Sequence, residues 1–279
     1  MESNKIITLI GYGRLGSCLA SQLIKSRAGL KYIVSPEVSN KGKFRNKLTK
    51  EIVSESDVII ICVQDKNIGT VVRNISDLKV SLNGKIIFHT SGIQTSDELK
   101  SLKGAYIGSF HPAQTFTKKS THRNLFEGIY IALEGTEKFL SYAEKLTVKL
   151  GAKYFVIKKD KKIVYHLLCV LVSNYMLTYF SFMENLAVKS DLPENWFEIL
   201  NPLLQETLTN IKGKNIYKSL TGPITRFDLD TIEKHIKSIK QNKSLYQLYK
   251  IFGSEASEIA LKNGDISKQQ YKELKNIFK

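Results

Sequence analysis

Ile7-Thr8-Leu9-Ile10-Gly11-Tyr12-Gly13-Arg14-Leu15-Gly16 is the stretch that decides the fold of this chain. Residues 5–10 are a short run rich in β-branched side chains, and Gly11 to Gly16 spell Gly-x-Gly-x-x-Gly. An amphipathic helix is expected over 15–26 and a second strand over 30–34. Strand, glycine turn, helix and strand make one βαβ unit, the context in which the glycine triplet reads as a dinucleotide fingerprint. Gly11 permits the tight turn, Gly13 lets the backbone approach a pyrophosphate, and Gly16 lets helix and strand pack closely. The phosphates would meet free N–H groups at a helix N-terminus, with Tyr12, Arg14 and Leu15 completing the cofactor loop.

Working outward, residues 58–63 (Val-Ile-Ile-Ile-Cys-Val) form an unbroken apolar run. That suits a central parallel strand covered on both faces. Further strands are expected at 85–88, 105–110, 129–133 and 154–157, with a helix over 136–150. Beyond Lys158 no strand pattern returns, and helices are expected at 160–188, 193–211, 228–239, 244–262 and 267–278. The fold class is therefore α/β, a Rossmann domain with a mostly parallel doubly wound sheet over residues 1–158. An all-α domain follows over 159–279, where substrate binding and dimerisation are expected.

Composition narrows the function. The formal charge is +16, yet only six of the 42 basic residues are arginine, and the lysines are spread along the whole chain. Nucleic-acid binders cluster their charge and favour Arg, so no nucleic-acid partner is expected; a positive field instead draws anionic cofactors and substrates. Cys18, Cys62 and Cys169 are odd in number and sit in apolar stretches, which fits a reducing compartment and a cytoplasmic location. The first residues carry no secretory pattern, and the absence of CxxC, HxxxH and HExxH leaves no metal site expected. Residues 163–182 are unusually apolar but interrupted by His166, Ser173, Asn174, Thr178 and Ser181. A helix buried within a domain or a homodimer explains them better than a membrane span.

The end of the second expected strand reports on the cofactor. An acidic residue there would bind a ribose 2′-hydroxyl. This chain has Ser35 instead, with Lys41, Lys43 and Arg45 behind it, which favours the 2′-phosphate of NADPH; Glu37 keeps NAD open. Val63 and Gln64 follow the apolar run and face the cofactor crevice, as does His89 at the end of the next strand. Asp65 is either part of that crevice or a helix N-cap.

Three further motifs stand out: His89-Thr90-Ser91-Gly92; Gly108-Ser109-Phe110-His111-Pro112-Ala113-Gln114-Thr115-Phe116; and Leu220-Thr221-Gly222-Pro223-Ile224-Thr225-Arg226-Phe227-Asp228. With Tyr165-His166 and Ser173-Asn174, this set resembles the Rossmann-like proteins that carry the C-terminal DUF2520 domain. That group is part of the wider 6-phosphogluconate dehydrogenase and ketopantoate reductase-like superfamily. The resemblance implies an NADP-binding domain, a helical domain that often dimerises, and, for some members, reduction of 2-dehydropantoate (ketopantoate) to pantoate. The group typically has Arg-Gly-Asp where this chain reads Arg226-Phe227-Asp228, and no Lys-x-x-x-Asn motif matches the well-known ketopantoate reductases. Their catalytic lysine is therefore not assigned to Lys162.

Ketone reduction needs a hydride donor, a proton donor at the carbonyl oxygen and a partner for the carboxylate. His166 and His111 are the proton-donor candidates, each with a structural alternative as a hydrogen-bonded core or loop histidine. Asn174 lies roughly 80° round an ideal helix from His166 and would orient the substrate. Ser91 and Thr90 either bind substrate or cap the next element. Arg226 is the carboxylate clamp or the partner of Asp228. The expected activity is NADPH-dependent reduction of a small 2-keto acid. A prephenate-type dehydrogenase, suggested by His111-Pro112, and a non-catalytic NADPH sensor are the alternatives.

Overall fold

The computed structural model describes residues 5–117, 124–212 and 216–279; Arg123, one of the six arginines, lies outside them. The chain divides into two compact units, Met1–Met176 and Leu177–Lys279.

The first unit is built on eight strands: β1 (Ile7–Ile10), β2 (Leu30–Val34), β3 (Phe44–Arg45), β4 (Val58–Ile61), β5 (Ile86–His89), β6 (Tyr106–Pro112), β7 (Tyr130–Gly135) and β8 (Lys153–Val156). They form one sheet in the order β3-β2-β1-β4-β5-β6-β7-β8. Every neighbouring pair is parallel except β6 and β7. The six strands from β3 to β6 thus follow the Rossmann order, as expected, and the order reverses between β1 and β4. Every residue of β1, β4 and β5 is buried, because apolar layers cover both faces. Alternation sends Leu9, Ile60 and Phe88 into one layer with Leu19 and Leu23 of helix α1 (Arg14–Lys25) and Phe139 of helix α4 (Glu137–Lys149). It sends Ile10, Ile59 and Ile87 to the other, with Ile68 and Val72 of helix α3 (Asp65–Asp77).

The strand β3 and helix α2 (Lys50–Glu55) were not expected. Two residues of strand and six of helix are too short to carry a period, and both arise where the basic segment after β2 folds back along it. The Thr49 hydroxyl accepts the Ile52 N–H and starts α2.

Helices α5 (Lys162–Val170) and α6 (Met176–Lys189) run as one, interrupted by a π turn at Leu171–Tyr175. The compact units part at residue 176 rather than at 158, because the first turns of this helix pack onto the sheet: Tyr165 meets Phe155 of β8 edge to face. By length and composition alone the whole helical run Lys159–Lys189, mean hydropathy 1.5 in its most apolar stretch, could cross a membrane. The expected burial is not met within this chain: Leu168 is 59% exposed and Val172 74%.

The second unit continues with α7 (Trp196–Ile211), α8 (Leu229–Ile239), α9 (Lys243–Asn263) and α10 (Lys268–Ile277). Ile232, Ala260, Ile266, Leu274 and Phe278 form its core. Gly264 ends α9 in the left-handed conformation, and the Ser267 capping box with Gln270 starts α10.

Candidate active site

The glycine loop leaves β1 at the point where strand order reverses. Gly11 has φ 102°, and a Cβ there would stand 2.2 Å from the Cys62 carbonyl oxygen; one on Gly16 would stand 2.2 Å from that of Gly11. These two glycines are demanded by backbone packing. A Cβ on Gly13 would meet nothing within 4 Å, so its open side is the one left for a ligand. Helix α1 begins beside it with no side-chain cap and no acidic residue in its first turn. Uncapped N–H groups at a helix start attract anions, so this cradle fits the pyrophosphate of NADP. Arg14 is exposed and Leu15 half-buried in the loop, Tyr12 sits edge-on to Phe44, and Val63 lies against Gly11. Gln64 is exposed and stands at the N-cap of α3.

At the ribose end, Ser35 is buried and its N–H donates to the Arg45 carbonyl. The Lys43 ammonium reaches back to the carbonyl of Leu30, at the start of β2 and away from Ser35. The structure therefore does not bring Lys43 to the expected 2′-phosphate position. Arg45 pairs with Val34 in register and lies over the Tyr32 ring, with one guanidinium nitrogen donating to Gly42 and Phe44 carbonyls.

His89 needs correction as a cofactor contact. It is fully buried, its Nε2 bonds the Thr95 carbonyl, and its Nδ1 accepts the Ser91 N–H. Burial, set against that carbonyl, pushes its pKa down to about 4, so it is a neutral organiser of the loop after β5. Ser91 also works differently from expectation. Its hydroxyl donates to Asp65 and accepts the N–H groups of Ile93 and Gln94, which leaves it no capacity for substrate. Thr90 is buried beside Cys62, hydroxyl to thiol.

The group that sequence reasoning set aside is Lys162. It is 1% exposed, and its Nζ bonds the Ser109 hydroxyl and the Ser91 carbonyl, the latter at 3.4 Å. Burial lowers its pKa to about 8 despite the opposing pull of Glu134 and Asp65. Ser109 and His111 are two residues apart on one face of β6, while Gly108 and Phe110 face α4, where Phe139 fills the space a Gly108 side chain would need. Helical spacing then aligns Lys162, Tyr165 and His166 over that face. Tyr165 Oη lies 3.0 Å from His111 Nδ1, and the His111 and His166 rings meet edge to face at 5.9 Å. Burial, then His166 and Lys162, push the His111 pKa down to about 4. A neutral imidazole is a weak acid, so His111 does not supply a proton near pH 7.

Asn174 lies within the π turn, exposed, and accepts the Ser173 hydroxyl. The wider turn means the ideal-helix angle from His166 does not apply. Arg226 belongs to the second unit, exposed and without an ion pair among the described residues. Asp228 is occupied by the N–H and hydroxyl of Thr231 as the N-cap of α8. Phe227 has φ 52°, the left-handed conformation that glycine adopts freely.

These features agree with comparisons against known proteins. Residues 6–91 match the family described as NADP oxidoreductase, coenzyme F420-dependent. Residues 129–256 match DUF2520, a domain of unknown function. No curated protein matches the sequence. Among solved structures, protein TM1727 from Thermotoga maritima is 25% identical, covering 92% of this chain and 99% of its own, with a TM-score of 0.69. A Bacteroides fragilis protein described as an NADP oxidoreductase is 20% identical over 91% of this chain and 98% of its own, TM-score 0.68. Plasmodium falciparum pyrroline carboxylate reductase, solved with NADP bound, shares the fold at 13% identity over 99% of each chain, TM-score 0.61.

Proposed function

We propose that the protein is an NADPH-dependent reductase of a small 2-keto acid, with 2-dehydropantoate as the substrate that the resemblance suggests. One observation carries the reading: a buried ammonium, Lys162, held at the hydroxyl of Ser109 beside the crevice edge of the sheet. A cofactor in the glycine cradle supplies the hydride. Lys162, still protonated near neutral pH, gives its proton to the carbonyl oxygen and stabilises the charge that develops there. Ser109 and the Ser91 carbonyl hold the amine in place, and the low polarity around it strengthens its field. His166 and His111 line the same face. A fixed cation suits an anionic oxo acid and opposes a cationic iminium.

NADPH oxidation followed at 340 nm, with ketopantoate, prephenate, pyrroline-5-carboxylate and simple 2-oxo acids, tests it. Turnover of ketopantoate alone supports the full reading. Turnover of another oxo acid removes the substrate assignment and keeps the class. Tight NADPH binding with no turnover turns the reading toward a sensor.

A further inference from the structure

Tyr165 is the member of the cluster that the proposed chemistry leaves idle. Its hydroxyl bonds His111 Nδ1 at 3.0 Å and also contacts the Cys169 thiol. A phenol is a better proton donor than a neutral imidazole N–H, and an imidazole nitrogen a better acceptor than a phenol oxygen or a thiol sulfur. The bond therefore runs from the Tyr165 O–H to Nδ1. With Nδ1 accepting, the neutral ring carries its proton on Nε2. That edge of the ring packs on a glycine: a Cβ on Gly92 would stand 2.7 Å from His111 Nε2 and 2.5 Å from His166 Cδ2, so the two rings occupy the room that a side chain there would take. Among the described residues no group hydrogen-bonds Nε2.

We propose that Tyr165 is a positioning residue that locks His111 in its Nε2–H tautomer, making that N–H a fixed neutral donor for an anionic oxygen of the substrate. Burial keeps the ring uncharged at working pH, so His111 orients and does not titrate. Ser109, which carries Lys162, and His111 stand roughly 7 Å apart along β6. Two donors on one face of the strand suit the adjacent oxygens of a 2-oxo acid, with Lys162 on the carbonyl and His111 on the carboxylate. Only the owner of those oxygens rests on the reductase reading; the tautomer does not.

Long-range nitrogen NMR of the labelled full chain reads the tautomer directly, with His111 assigned by loss of its signals in His111→Gln. The expected pattern is an unprotonated Nδ1 and a protonated Nε2, unchanged between pH 6 and 8. In Tyr165→Phe the two tautomers should mix, and kcat/KM for the oxo acid should fall by about tenfold, mainly through KM, with NADPH affinity unchanged. A protonated Nδ1 in the native protein, or an unaltered pattern in Tyr165→Phe, overturns the proposal. Should Tyr165→Phe fail to fold, the native spectrum decides alone. A confirmed tautomer with no oxo acid turned over sinks the reductase reading and leaves the donor standing.

Discussion

The Nζ of Lys162, on the first turn of α5, is hydrogen-bonded to the Oγ of Ser109 on β6, and both side chains are closed to solvent. A lysine in that position costs stability while charged, which makes a role in chemistry the natural reason for it. Lys162→Met should lower turnover by about 10²–10⁴-fold with NADPH affinity unchanged, and Lys162→Arg should not restore it, because guanidinium holds its proton too firmly. In the native enzyme the reduction rate should fall as pH rises through about 8, where the amine loses its proton. Stability runs the other way. Between about 8 and the ordinary lysine value of 10.5 the unfolded chain binds more protons, so the native fold gains stability with rising pH there. Lys162→Met should lose that rise and melt higher than the native protein at pH 7. Melts of both proteins at pH 7 and pH 10, alongside steady-state rates, check the pair of claims.

Two histidines set an acid limit. His89 and His111 both titrate near about 4 in the fold, against an ordinary value of 6.5. Between these values the unfolded chain holds the extra protons, so their contribution is intact above pH 6.5 and is lost as pH falls toward 4. Denaturant titrations at pH 7, 5.5 and 4.5 should show that decline, and His89→Asn should reduce its slope. An equal slope in the variant would remove His89 from the account.

Cofactor choice now rests on fewer side chains. Lys43 reaches back to the Leu30 carbonyl at the start of β2, whereas Arg45, whose guanidinium donates to the Gly42 and Phe44 carbonyls, lies at the register of Val34, one residue before Ser35. Arg45→Ala should therefore weaken NADPH and leave NADH unchanged, while Lys43→Ala should shift neither by more than about twofold. Fluorescence titration of each cofactor measures this; equal loss of both would mean that Arg45 does not meet the 2′-phosphate.

Which features were legible in the sequence follows from their physics. The central strands of the sheet and the glycine loop announce themselves because burial on both faces and a close backbone approach leave only a few residue types acceptable, as at Val58–Ile61 and Gly11. The site announces itself less well. Lys162 is one of many lysines, and nothing in its local pattern tells a buried amine from a solvated one; only β6, more than fifty residues earlier in the chain, supplies Ser109. His89 misled for a related reason. A strand-end position at the crevice suggests a ligand contact, yet the loop that follows turns back and takes both ring nitrogens. The π turn at Leu171–Tyr175 carries no sequence signal at all that separates it from the α-helix around it.

The long helix makes the last prediction, that the protein is a homodimer. Leu167, Leu168, Leu171 and Val172 are each 45% exposed or more. Monomers seldom expose contiguous apolar patches larger than a few hundred Å². A bilayer is a poor cover, since the same helix begins with Lys162, Tyr165 and His166 engaged with the polar groups of β6. A second copy, presenting the same face about a two-fold axis, satisfies both copies at once. Sedimentation at micromolar concentration should give twice the 31.6 kDa chain mass. Val172→Glu, a charge placed on a side chain 74% exposed in the single chain, should shift the species toward monomer while leaving NADPH binding intact, because the glycine cradle is remote from it in sequence and in its packing. A native protein that sediments as a monomer across the micromolar range would show that the face has some other cover.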